Sequence, residues 1–173
     1  MSNGSYYLST FNSPKQYLLA GPFDSRPLAE TAVRPAKELA SITYSLSPFF
    51  GVTPIHAYHE NTKEYEVAFP FLSELFEYNY LPLSKAEVLD CTHCQVHGWR
   101  NSEDHEGSLV AEIMPPDDPD MIEYYSVYLH RGIYDQFALL DFRTFEAAEA
   151  FQEWICTAFP HIKPVPYNQK ELP

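Results

Sequence analysis

Ser126-Val127-Tyr128-Leu129 and Gln136-Phe137-Ala138-Leu139-Leu140 are two apolar and aromatic runs of strand length, joined by a polar segment that carries Arg131-Gly132. Such side chains fit a half-buried pleated surface, and a glycine-bearing polar link between two such runs predicts a hairpin. Thr144 follows, with a hydroxyl suited to the free amides of a helix start and with Glu146 and Glu149 near the positive end of the dipole. Ala147, Ala148, Phe151, Trp154, Ile155 and Ala158 then recur at the spacing of one helical face, and Pro160 ends the helix. The unit over Ser126 to Phe159 is therefore ββα, with Phe151, Trp154 and Ile155 turned to one face of the hairpin.

A similar unit opens the chain. Ser5-Tyr6-Tyr7-Leu8 answers Ser126-Val127-Tyr128-Leu129, and Gln16-Tyr17-Leu18-Leu19 answers Gln136-Phe137-Ala138-Leu139. Phe23 and Phe142 follow the second runs, and then come Ala29-Glu30 and Ala148-Glu149. Matches in the same order fit an internal repeat, and two ββα units drawn independently from a Tyr-rich chain would look alike as well. In the first unit Ser25 is the expected cap, and Pro35 predicts a kink or break in the helix that follows.

Across 173 residues with 45% hydrophobic and 16% aromatic content there is enough apolar surface for one good core or two small ones. The expected architecture is α+β: antiparallel β-hairpins with helices packed on one face, with two related ββα units as one form of it. Met114-Pro115-Pro116-Asp117-Asp118-Pro119-Asp120 reads as a linker, giving a single domain over 1–173 or two subdomains, 1–113 and 121–162, joined by 114–120. Between the two ββα units, Ile55 to Phe69 reads as a hairpin. Phe71, Leu72, Leu75 and Phe76 read as a short helix after Pro70, Ser84 to Glu87 as a capping box, Gly98 to Gly107 as a polar loop, and Leu109 to Ile113 as a strand.

The formal charge of −13 is unevenly placed. Residues 1–59 carry three acids and four bases, 60–153 carry 20 acids and five bases, and 154–173 add one acid and two bases. A middle segment of −15 repels nucleic acid and anionic membrane and attracts a basic partner. The expected partner is thus a protein with a basic surface, met through Glu103, Asp104, Glu106, Asp117, Asp118, Asp120, Glu123 and Tyr124. The opening residues lack a secretion signal, and three cysteines make no disulfide framework, so a cytoplasmic setting is expected.

Leu19-Ala20-Gly21-Pro22-Phe23, then Ala29-Glu30 and Phe50-Gly51-Val52, resemble the opening of small uncharacterised accessory proteins of plasmids, phages and genomic islands. The resemblance covers residues 17–52, implies a mobile-element accessory protein and carries over no catalytic residue.

Chemistry is concentrated in Cys91-Thr92-His93-Cys94-Gln95-Val96-His97. Thiolates three residues apart with nearby imidazoles are donors zinc accepts, and Cys91, Cys94, His97 and His105 make a four-ligand set, with His56 an alternative fourth. The competing readings are buried structural thiols at a helix end, with Cys156 in the core, or a Cys91 nucleophile served by His93 or His97. His56 and His59 lie on a predicted strand and point apart, and the Asp117 to Glu123 run lacks the glycine and terminal Glu of a calcium loop. No phosphate loop, nucleophile elbow or dinucleotide fingerprint is present. The tyrosines line the sheets or, at Tyr78, Tyr80, Tyr124 and Tyr125, form a binding face. The leading expectation is a non-enzymatic acidic interaction protein, an inhibitor of a basic nucleic-acid-binding or defence protein encoded by a mobile element, with no cofactor. The alternative is a small zinc- or thiol-dependent enzyme centred on Cys91 to His97.

Overall fold

The structure is a computed structural model and describes residues 6–12, 15–44, 51–56, 67–79, 85–115, 118–132 and 134–167. The protein is α+β, with antiparallel hairpins and helices packed against sheet, in two compact units, Met1–Glu77 and Tyr78–Pro173.

In the first unit β1 (Tyr6–Asn12) pairs antiparallel with β2 (Lys15–Phe23) on one side and β3 (Gly51–His56) on the other. Leu8, Leu18, Leu19 and Phe23 are buried, and so are Ala29, Ala36 and Leu39 of the helices that follow. Ser25 Oγ accepts from the Leu28 amide at 3.4 Å and caps α1 (Arg26–Thr31). The chain breaks at Ala32, whose amide turns back to the Ala29 and Glu30 carbonyls, before α2 (Val33–Tyr44) begins. Pro35 explains the break: as third residue of α2 its missing N–H falls among first-turn donors that have no helical acceptor anyway. The ion pairs Arg26 to Glu30 and Arg34 to Glu38 stiffen the exposed faces and are each worth only a few tenths of about 1 kcal/mol.

Gly21 is constrained by its neighbours: its φ is +131°, and a Cβ there would lie 2.6 Å from Tyr7 Cδ1 and 2.9 Å from the Tyr6 carbonyl oxygen. Gly21→Ala is expected to cost about 1–3 kcal/mol, read as a lower urea midpoint at unchanged slope. An unaltered midpoint would mean that this end of the hairpin yields freely.

After a 3₁₀ turn at Pro70–Glu74 the chain becomes β4 (Leu75–Asn79), not the expected continuation of a helix. Phe71 and Leu72 are buried by the turn itself, and Leu75 already has extended backbone (φ −61°, ψ 138°). One turn of helix is a costly nucleus, whereas the Phe76 to Asn79 run suits a strand.

The second unit contains α3 (Lys85–Leu89), β5 (His93–Glu103), β6 (Leu109–Met114), β7 (Tyr124–Arg131), β8 (Asp135–Phe142), α4 (Phe145–Ala158) and β9 (Lys163–Val165). The sheet order is β4-β8-β7-β5-β6, with β9 parallel to the start of β5. β5 continues through Glu103, so Gly98 to Gly107 is half strand and half turn rather than a loop. Its polar residues are tolerated because this end of the β5–β6 hairpin is exposed to solvent. The stretch 114–120 connects β6 to β7 within this unit, and the division of the chain falls earlier, inside β4.

Thr144 Oγ1 accepts from the Ala147 amide at 3.3 Å and caps α4, which lays Ala148, Phe151 and Ile155 on the sheet while Trp154 is half-buried beside them. The two ββα segments share more than order. Tyr6 faces Phe23 and Tyr125 faces Phe142 across their hairpins, and a capping hydroxyl follows two residues after each Phe. This register equates Tyr6 with Tyr125, whereas the letter match equates it with Val127.

Candidate functional site

Alternation along β5 sorts its side chains onto two faces. Cys94 and Val96 are buried on the α4 side, where Gln152 Nε2 donates to the Cys94 carbonyl at 2.7 Å. His93, Gln95, His97 and Trp99 lie on the other face, opposite His130, Tyr128, Ser126 and Tyr124 of β7.

That second face carries a buried polar row. His97 is the cross-strand partner of Ser126, and Ser126 of Asp141 on β8. Ser126 Oγ donates to Asp141 Oδ1 at 2.5 Å. Asp141 Oδ2 and His130 Nε2 are buried with no hydrogen-bond partner among the described residues. Burial pushes the Asp141 carboxyl up to about 6 against the pull of the Ser126 hydrogen bond. Burial, with His130 nearby, lowers the His97 imidazole to about 4. The His97 ring meets Tyr128 edge-on at 5.3 Å and Trp99 at 6.5 Å. At neutral pH the row holds a neutral imidazole at His97 and, beyond Ser126, a poorly solvated Asp141 carboxylate that accepts a hydrogen bond from the Ser126 hydroxyl. The serine lies between the other two, so this is not the nucleophile, base and orienter order of a hydrolytic triad.

No family model, curated protein or solved structure matches the chain.

The four residues that spacing nominates for zinc are scattered. Cys91 is buried just before β5 and donates through Sγ to the Glu87 carbonyl at 3.3 Å. Cys94 and His97, three apart on a strand, point to opposite faces, and His105 is exposed in the turn between β5 and β6. His56 is in β3 of the first unit. Among the described residues no three His, Cys, Asp or Glu side chains are gathered closely enough to hold a metal ion. Burial also raises the Cys91 thiol above its ordinary value, the opposite of what a nucleophile requires.

The acidic residues are spread along one hairpin and the connection that leaves it. Glu103, Asp104 and Glu106 form the tip of the β5–β6 hairpin, Glu112 lies on β6, and Asp118, Asp120 and Glu123 follow on the way to β7, all exposed. From 100 to 123 the sequence holds eight acids, the eighth being Asp117 outside the described residues, against Arg100 alone. Arg100 is already paired with Glu112 at 2.8 Å. Asp104 Oδ1 accepts from the Glu106 and Ser108 amides at 2.9 and 2.8 Å and closes the tip, where Gly107 has φ +78°. Glu123 Oε2 accepts from Asn101 Nδ2 at 3.0 Å and ties the returning chain to β5. Asp104 and Glu123 thus hold the arm, while Glu103, Glu106, Asp118 and Asp120 give it charge. Tyr124, grouped with these acids in the sequence, is only 8% exposed and belongs to the core of β7. Tyr125 is half-buried against Phe145 and Tyr167, and Tyr80 lies outside the described residues.

Sequence reasoning missed the apolar part of the arm. Leu109 is 77% and Ile113 58% exposed, with Val110 and Met121 also in solvent. Among the described residues β6 pairs only with β5, leaving its outer edge open. The alternation Leu109, Ala111, Ile113 was the available signal, but it reads equally as a buried strand face. Among the described residues no helix is long and apolar enough to cross a membrane.

Proposed function

We propose that the protein is a non-enzymatic binding protein whose β5–β6 arm docks on the basic surface of another protein. One observation carries the reading: exposed Leu109, Val110 and Ile113 lie on a strand whose outer edge is open among the described residues, in a hairpin rich in exposed carboxylates, and Arg100, the one Lys or Arg between 100 and 123, is already paired with Glu112. An apolar strip with an acidic rim suits a partner that supplies a strand or loop with apolar residues and Lys or Arg around them. Nucleic-acid-binding proteins carry such basic faces, and the arm then occupies the surface that would hold phosphates. The resemblance of residues 17–52 to mobile-element accessory proteins gives this reading its finer form, an inhibitor of a basic nucleic-acid-binding or defence protein.

The test is binding of the full chain to a panel of strongly basic nucleic-acid-binding proteins, with acidic proteins of similar size as controls. A true partner is expected to bind at least about tenfold more weakly at high salt, and about tenfold more weakly again after Glu103→Lys with Glu106→Lys. Leu109→Asp should weaken it mainly through faster dissociation. Binding that is indifferent to salt, to the two reversals and to Leu109→Asp overturns the reading.

A further inference from the structure

Cys156 is more than a core residue of α4. It is half-buried in the last turn of the helix, and its side chain shares a hydrogen bond with that of Cys94 on β5. Gln152, one turn earlier on the same helical face, binds the Cys94 carbonyl at 2.7 Å and the Val165 carbonyl at 3.3 Å. Gln152 thus seats α4 over Cys94, and Cys156 follows one turn further along the same helical face with its thiol toward that of Cys94. Cys91 lies three residues before Cys94 in sequence and is engaged with the Glu87 carbonyl, and all three cysteines are free thiols.

We propose that Cys156 and Cys94 form a peroxide-reactive thiol pair that closes to a disulfide and staples α4 to β5. Cys156 is the more accessible sulfur, and the hydrogen bond from Cys94, aided by Lys163 nearby, holds its thiol below the ordinary value. Cys94 keeps its proton, because burial and the same hydrogen bond raise it. In the first step the Cys156 thiolate attacks one oxygen of hydrogen peroxide. The S–O bond forms, the O–O bond breaks, and the leaving hydroxide takes up a proton to become water. In the second step the Cys94 sulfur attacks the Cys156 sulfur, the S–S bond forms, and the S–O bond breaks. The departing hydroxide takes the Cys94 proton as the second water. Two thiols lose two electrons and one peroxide gains them.

The experiment treats the folded full chain with equimolar hydrogen peroxide, unfolds it in an alkylating agent and maps the peptides. The expected result is a mass loss of about 2 Da, a fall from three alkylatable thiols to one, and a Cys94 to Cys156 linked peptide that dithiothreitol removes. Cys91→Ser should leave the linkage intact. Cys156→Ser should abolish it and slow loss of the remaining thiols by about tenfold or more. Three thiols still open to alkylation, a stable sulfenic acid on Cys156, or a linkage between Cys91 and Cys94 each overturns the proposal. Because the primary readout is on the unmodified chain, a poorly folded variant does not obscure it.

Discussion

Truncating Phe151 to Ala should lower the unfolding free energy by about 3–5 kcal/mol. Phe151 is fully buried at the centre of α4, with its ring centroid 5.5 Å from Phe142 and 5.9 Å from Trp154. Its removal withdraws the apolar area that holds the helix to β8 and leaves a cavity the rigid sheet cannot close. Set against a domain stability of about 5–15 kcal/mol, that is a large fraction, so the denaturant midpoint should drop markedly at similar slope. A loss under about 1 kcal/mol would show that α4 is not seated by this side chain.

The second large effect is a dependence on pH that two substitutions pull apart. Asp141 titrates near 6 in the folded protein and at 3.8 ordinarily, so the folded state holds its proton more tightly and stability falls as pH rises from about 4 to 6. His97 does the reverse. It titrates near 4 when folded and at 6.5 ordinarily, so the folded state holds its proton less tightly and stability falls as pH drops from about 6.5 to 4. Each shift corresponds to about 3 kcal/mol, and the two oppose each other over nearly the same window. Asp141→Asn is therefore expected to gain stability near pH 7, by up to about 3 kcal/mol, and to lose it more steeply than the parent on acidification. His97→Gln should show the opposite slope relative to the parent, gaining as pH falls from about 6 to 4. Unfolding free energies measured between pH 4 and 7 decide this, since every carboxylate outside the row contributes equally to parent and variants. Variant curves parallel to that of the parent would mean that neither group is perturbed as its burial implies.

The ββα segment at 126–159 was legible because its signals are local. Strand runs, a capping hydroxyl and an apolar stripe each reside within a few residues, and Thr144 and Phe151 do what their positions imply. The polar row was not legible, since Ser126, Asp141 and His97 are neighbours only through cross-strand register, which side-chain pattern alone does not specify on a polar face. The Cys94 and Cys156 contact spans 62 residues of sequence and depends on where α4 crosses β5. Cys91 to His97 reads as a ligand cluster because two thiols and two imidazoles fall within seven residues, whereas on a strand Cys94 and His97 are turned to opposite faces. Leu75 and Phe76 repeat at a spacing that helix and turn-plus-strand satisfy equally, and Tyr124 was placed with the acids because proximity in sequence says nothing about which way a strand turns its side chain.

The open outer edge of β6 has one more consequence, for the protein's own behaviour at high concentration. An edge strand that shows Leu109, Val110 and Ile113, and that pairs on one side only among the described residues, is a template on which a second copy would add in an antiparallel ladder. Any such pairing would lay the carboxylates of one arm against those of another, which opposes it. The carboxylates of the arm would thus act as gatekeepers against self-pairing, and whatever neutralises them, acid or a divalent cation, would bring the edge into play.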